Sequence, residues 1–198
     1  MNSIDKLAEL FKSFPGIGPR QAKRFVYYLL SRNGGYAEDL SRAIQNLKQE
    51  IRQCSECERF FHSPTHNSPL CNICSDENRD ESLLMLVPRD VDLEAVEKSH
   101  AYGGYYFVLG GVVPILEKEP EKRIRLRELE QKLQSGGIKE VILAMNANQD
   151  GEHTAEFIKE RFKNGKFTFS ELGRGLSTGA ELEYADPETL KNALLHRT

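Results

Sequence analysis

All four cysteines of the chain, Cys54, Cys57, Cys71 and Cys74, fall in one short stretch as two Cys-x-x-Cys pairs. Two intervening residues let a tight turn aim both sulfurs of a pair at one point. Two such turns complete the tetrahedral thiolate shell that zinc prefers. A disulfide framework is the competing use of four cysteines, but it belongs to oxidising compartments. The N-terminus Met-Asn-Ser-Ile-Asp-Lys lacks the basic start and apolar core of a secretory leader. The expectation is a Zn2+ site in a cytoplasmic protein. His62 and His66, in the spacer between the pairs, are alternative donors, although four thiolates already fill the shell.

A chain of 198 residues accommodates one large domain or two small ones. The formal net charge is -3, which argues against a uniformly basic nucleic-acid coat. That average hides an asymmetry. Residues 1–33 hold six basic side chains (Lys6, Lys12, Arg20, Lys23, Arg24, Arg32) against two acidic ones (Asp5, Glu9), a surplus of four, so the remainder sums to -7. An electropositive head on an acidic body predicts a localised anion-binding face.

Apolar residues recur at helical spacing through Ile4, Leu7, Leu10, Phe11 and Phe14. Pro15-Gly16-Ile17-Gly18-Pro19 interrupts them, and Ala22, Phe25, Val26, Leu29 and Leu30 resume the pattern. This predicts helix, tight hairpin, helix, with Ile17 plugging the space between the two. A third stripe, Leu40 to Ile51, predicts another helix running into the first cysteine pair. Beyond Cys74, the polar segment 75–82 reads as a link. Runs of strand length (83–87, 105–109, 141–145, 167–169) then alternate with helical segments (92–98, 121–133, 152–162, 187–195). That alternation predicts a mostly parallel sheet covered on both faces.

Phe14 to Arg24 resembles the helix-hairpin-helix motif of nucleic-acid-binding proteins. Glycines at 16 and 18 let the backbone approach a phosphate, and the next helix offers its free N-terminal amides. Arg20, Lys23 and Arg24 then stand on that helix's first turns, where they add charge-assisted phosphate contacts that do not read bases. Gly16, Gly18, Arg20, Lys23 and Arg24 are the candidate DNA-binding residues. The plainer alternative is an ordinary helical turn with solvated cations.

With this hairpin, the four cysteines and the alternating C-terminal half in order, the chain resembles the bacterial RecR recombination mediator family along nearly its whole length. The likeness is carried by Phe14–Arg24, Cys71–Asp76, Tyr106–Gly111, Glu140–Ala144 with Asn146, Gly151, Glu152 and Thr154, and Gly173–Leu176 with Glu181–Asp186 and Thr189-Leu190. The resemblance implies an α+β chain of several parts. These are an all-α helix-hairpin-helix DNA-binding region over 1–53, a four-cysteine zinc finger over 54–76, an α/β Toprim domain over 77–172, and a terminal signature and helix over 173–198 at a subunit contact. It further implies a homo-tetrameric ring that encircles DNA. Such a ring works with RecO and RecF to help RecA replace single-strand binding protein. It also marks Glu152 and Arg174 as candidate partner-binding residues.

Catalytic Toprim enzymes end their first strand with glutamate and a later strand with Asp-x-Asp, since phosphoryl chemistry needs carboxylates to hold magnesium. By the resemblance, Pro88 stands where that glutamate would be, and Met145-Asn146-Ala147-Asn148-Gln149 contains no acid. The reading is therefore non-catalytic: a DNA clamp and adaptor. The alternative is a magnesium-dependent Toprim nuclease or topoisomerase-like enzyme using Asp90 and Asp92, which otherwise read as loop and helix-cap residues. The aromatic group Tyr102, Tyr105 and Tyr106 reads either as a base-stacking cluster or as a strand with one buried face. The finger carries little basic charge, since Arg59 stands beside Glu56 and Glu58. Its role is then to staple small elements together and fix how the hairpin is presented.

Overall fold

The computed structural model describes residues 1–63, 68–176, 178–179 and 181–195. His66 lies outside this set. The chain divides into two compact units, one built from residues 1–51 with His62 and Ser63, the other from 52–61 and the described residues from 68 onward.

In the first unit, α1 (Ser3–Lys12) starts where the Asn2 side chain accepts the Asp5 amide, and α2 (Pro19–Leu30) starts with proline at its first turn. Their apolar stripes meet around buried Ala8, Ala22 and Val26, with Ile4, Leu7, Phe11 and the expected plug Ile17 packed against them. The third helix, α3 (Gly34–Glu50), is capped by Asn33, whose side chain accepts the Tyr36 amide at 3.1 Å. None of its residues is buried. It ends one residue before the predicted Ile51, because Ile51 opens a short strand, β1 (Ile51–Gln53), paired with β2 (Phe60–His62).

The second unit is built on four strands, β3 (Asp80–Val87), β4 (Gly104–Val108), β5 (Glu140–Leu143) and β6 (Thr168–Glu171), in the order β4-β3-β5-β6 with every pairing parallel. α4 (Asp90–Lys98), α5 (Leu126–Gln134) and α6 (Gln149–Arg161) make the crossovers, and α7 (Pro187–Leu195) follows the last strand. Parallel pairing requires both faces to be covered, and the covers differ in kind. On one face Leu84, Leu86, Phe107, Val141 and Leu143 pack with Leu126 and Leu129 of α5 and Ala155 and Ile158 of α6. On the other, Met85, Val87, Tyr106 and Val108 pack with Leu93 of α4 and with Cys54, Cys57, Cys71 and Ile73. The cysteine segment is thus part of the sheet's own core.

Two sequence expectations need correction. The segment 75–82 is not a free link: β3 begins at Asp80, the Asp76 carbonyl accepts the Tyr105 hydroxyl at 2.9 Å, and Arg79 is largely buried. Nor is 121–133 one helix. Pro120–Lys122 forms a single 3-10 turn, and the Arg125 amide donates to the Leu109 carbonyl at 2.8 Å. The chain there follows the end of β4 and becomes helical only at Leu126.

Candidate functional site

The hairpin head positions its residues through backbone geometry. Gly16 adopts φ +76°, a conformation that side-chain-bearing residues avoid, and a Cβ there would meet nothing within 4 Å. Its outer side is therefore open to a ligand. Gly18 is the N-cap of α2 and has no side chain to bond the first-turn amides, which leaves these donors to an outside acceptor. Arg20, Lys23 and Arg24 are all exposed on the same turns, and α2 has no acid in its first turn to neutralise them. Among the described residues, Arg24 makes only a 3.4 Å hydrogen bond, to Gln21. Free amides, the positive end of the helix dipole and three cations thus share one small surface suited to a phosphate.

The two cysteine turns have the same internal logic. In the first, the Glu58 amide donates to the Cys54 carbonyl at 3.0 Å and the Cys54 amide to the Arg59 carbonyl at 2.8 Å, with Glu58 held at φ 62°. In the second, the Ser75 amide donates to the Cys71 carbonyl at 3.0 Å. The Cys71 amide also points at Cys54 Sγ, 3.3 Å away, so the turns interlock. The four Sγ atoms all lie within 4.8 Å of one another, and Cys57 and Cys71 are 3.6 Å apart. A tetrahedron with metal–sulfur bonds of about 2.3 Å has edges of about 3.8 Å. The donor set and spacing fit a metal ion. Hydrogen bonding from Cys57, then Cys71 and Cys74, pulls the Cys54 thiol down, whereas hydrogen bonding with Cys54, Cys57 and Cys71, reinforced by burial, pushes Cys74 up. Four sulfurs this close do not all carry charge unless a cation shares it. His62 is not among them: its ring lies 3.5 Å from the Glu50 carboxylate.

Several residues that sequence reasoning passed over clasp this cluster to the sheet. Arg125 Nη1 donates to the Glu58 and Val108 carbonyls, both at 2.9 Å. The Val108 amide donates to the Cys57 carbonyl at 2.8 Å, the Phe60 amide to Asp90 Oδ1 at 2.7 Å, and Lys132 Nζ to Glu56 at 2.5 Å. Of these, Asp90 was expected as a loop and helix-cap residue, and it does stand in the first turn of α4. It accepts from β2 rather than capping its own helix, while Asp92 pairs with Arg89 at 3.1 Å.

The tyrosines resolve in favour of the strand reading. Tyr106 is fully buried and donates to Glu97 at 2.8 Å, Tyr102 donates to the Tyr105 carbonyl at 3.0 Å, and the Tyr102 and Tyr106 rings meet edge to face at 5.1 Å. Glu97 also holds Arg79, which bonds the Gly104 carbonyl at 2.9 Å.

At the C-terminal ends of the strands, α6 starts with Asn148 accepting the Gly151 amide at 2.8 Å. A Cβ on Gly151 would lie 2.1 Å from the Asn146 carbonyl oxygen, so only glycine fits this turn. Buried Thr154 accepts the Val113 amide at 2.9 Å and donates to the Asp150 carbonyl at 2.6 Å, fixing the glycine turn after β4 to α6. Glu152 and Arg174 are brought together, Nη1 to Oε1 at 2.6 Å, beside Glu156, Lys159 and Glu171 on one concave surface. Among the described residues no helix is long and apolar enough to cross a membrane.

Residues 4–48 match the family model described as RecR, helix-hairpin-helix, residues 82–172 that of the Toprim domain, and residues 175–198 that of RecR, C-terminal. The recombination protein RecR of Staphylococcus saprophyticus subsp. saprophyticus is 37% identical over 195 residues, covering 98% of this chain and 96% of its own length. That of Staphylococcus aureus strain JH9 matches to the same extent, 37% over 195 residues. With these regions matched in order and relatives aligned over nearly its whole length, the chain belongs to the RecR family of recombination proteins.

Proposed function

We propose that this chain is a non-catalytic DNA-binding clamp and adaptor in recombinational DNA repair. The observation that carries the reading is the hairpin: an open left-handed Gly16, an uncapped α2 N-terminus at Gly18, and exposed Arg20, Lys23 and Arg24 beside it. These groups bind phosphate oxygens and touch no base edge, so the partner is DNA without sequence preference. One such head makes few phosphate contacts. Useful affinity then comes from several heads acting together, which supports a homo-oligomer, a tetramer on the family pattern.

The metal is Zn2+, held by Cys54, Cys57, Cys71 and Cys74. When bound it supplies structural cross-linking and no chemistry, because four thiolates leave no open position for substrate. The strand ends that would hold magnesium in a catalytic relative carry Pro88, Asn146 and Asn148 instead, and Asp90 is occupied with the Phe60 amide. The Toprim domain serves as the adaptor that meets RecO and RecF during loading of RecA on single-stranded DNA. Glu152 and Arg174 lie on its partner-facing surface, each neutralising the other until a charged partner competes for one of them.

Charge reversal at Arg20 and Lys23 tests the proposal. The Arg20→Glu/Lys23→Glu variant is expected to lose DNA binding by about a hundredfold or more at low salt, from repulsion added to lost contacts. Its molar mass and zinc content should match the parent. Retained DNA affinity would contradict the proposal, and joint loss of assembly and binding would assign the hairpin to self-association.

A further inference from the structure

The four cysteines are not equally enclosed. Cys54, Cys57 and Cys71 have 0% exposure, whereas Cys74 is half-buried. Cys74 also lines a cavity of about 280 Å³ with Leu70, Leu83, Tyr105, Lys132 and Ser135. A liquid water occupies about 30 Å³, so this space admits a small organic reagent or a peroxide. Apolar Leu70 and Leu83 line it together with the acids Glu56 and Glu81. Lys132, tethered to Glu56 at 2.5 Å and 6.0 Å from the Tyr105 ring centroid, adds a cation to the lining.

We infer that Cys74 is a modification site, the one sulfur through which soft electrophiles and peroxides reach the metal centre. Susceptibility of a cysteine follows thiolate character and exposure together; a shared metal would hold all four as thiolates, so exposure decides, and the other three cysteines are fully buried. With a peroxide, the Cys74 sulfur attacks one peroxide oxygen. The O–O bond breaks, a sulfenic acid forms on Cys74, and the second oxygen leaves as water after protonation. The Cys71 thiolate, on the same turn, then attacks the Cys74 sulfur. An S–S bond forms and hydroxide leaves, taking a proton to become water. In total two thiolates, one peroxide and two protons give one disulfide and two waters. With Cys71 and Cys74 tied in a disulfide, only Cys54 and Cys57 would remain as thiolate donors, too few to hold a zinc ion.

The consequence would not stay local, since Cys54, Cys57, Cys71 and Ile73 are packing partners of β3 and β4. Oxidation at Cys74 therefore loosens one face of the sheet.

This inference rests on the zinc reading of the cluster, and the test separates the two. Metal content of the purified full-length protein is measured first. The protein is then treated with substoichiometric N-ethylmaleimide while released zinc is followed with a chromogenic chelator, and modified cysteines are located by peptide mass spectrometry. Cys74 is expected to be labelled about tenfold faster than each of the others, with zinc release tracking its modification. Dilute hydrogen peroxide should give a Cys71–Cys74 disulfide. A Ser135→Trp variant, which adds bulk at an exposed residue of the cavity lining, should slow labelling of Cys74 several-fold at unchanged zinc content. Labelling of Cys54, Cys57 or Cys71 first, or an unaltered rate in Ser135→Trp, would overturn the inference. A preparation that binds no zinc refutes the metal reading alone, and the labelling order of its thiols still decides the access claim.

Discussion

Gly16 and Glu97 illustrate what single residues do here. Gly16 holds φ +76° in open space, so its constraint is conformational rather than steric. Gly16→Val is expected to cost about 1–2 kcal/mol of stability in the first unit, since β-branched residues avoid this region, and to weaken DNA binding by moving the amides of α2. Chemical denaturation and a binding assay on the same sample check both. Glu97 holds Arg79 and the Tyr106 hydroxyl together, with Arg79 only 13% exposed. Removing its carboxylate in Glu97→Ala leaves the guanidinium under-paired, and urea unfolding should report a loss of about 2 kcal/mol. Burial, reinforced by the hydrogen bond to Glu97, also pushes the Tyr106 phenol above its ordinary value of 10.0, and burial raises Tyr102 as well. The folded state therefore keeps protons that the unfolded chain releases. This stability is whole below the ordinary tyrosine value of 10.0 and declines as pH rises from there toward the raised values. Tyr106→Phe should show a shallower alkaline decline in a pH series of unfolding curves.

Between elements, the finger and the sheet depend on one another. The Val108 amide on edge strand β4 is satisfied by the Cys57 carbonyl, and the Phe60 amide by Asp90. Chelating the metal is expected to expose the amides of β4, Phe60 and α4 to hydrogen exchange, while α1 and α2, which pack on their own cluster of Ala8, Ala22 and Val26, keep their protection. Unchanged exchange in β4 after metal removal would rule this coupling out. The cysteine pairs and the helical hairpin were legible in the sequence because each is written in nearby residues: a sulfur spacing in one case, a Gly-x-Gly between two apolar stripes in the other. The clasp was not legible. Arg125 and Glu58 stand 67 positions apart, and Lys132 and Glu56 stand 76 apart, with no local pattern announcing either pair. The same contact explains the misread start of α5. Arg125 suits a helix by propensity, yet its amide and guanidinium are committed to Leu109, Val108 and Glu58. Glu152 and Arg174 were marked by family likeness, and no sequence feature foretold their mutual ion pair.

For the molecule as a whole, the clamp proposal requires copies to associate, and surfaces left apolar are where they would meet. Ile44 and Leu47 on α3 are 57% and 60% exposed, and the helix has no buried residue. Under the clamp proposal such residues are covered in the oligomer. Ile44→Glu/Leu47→Glu should leave the isolated fold within about 0.5 kcal/mol of the parent, as surface changes do, but lower the molar mass in light scattering and weaken DNA binding with it. Whether DNA is held through phosphates gathered by several hairpin heads is decided by DNA affinity against salt concentration, measured on two unrelated sequences. Log affinity should fall steeply and linearly with log salt, equally for both sequences, because each neutralised phosphate releases a counterion. A flat salt dependence, or a strong preference for one sequence, would mean that phosphates are not what the hairpin holds.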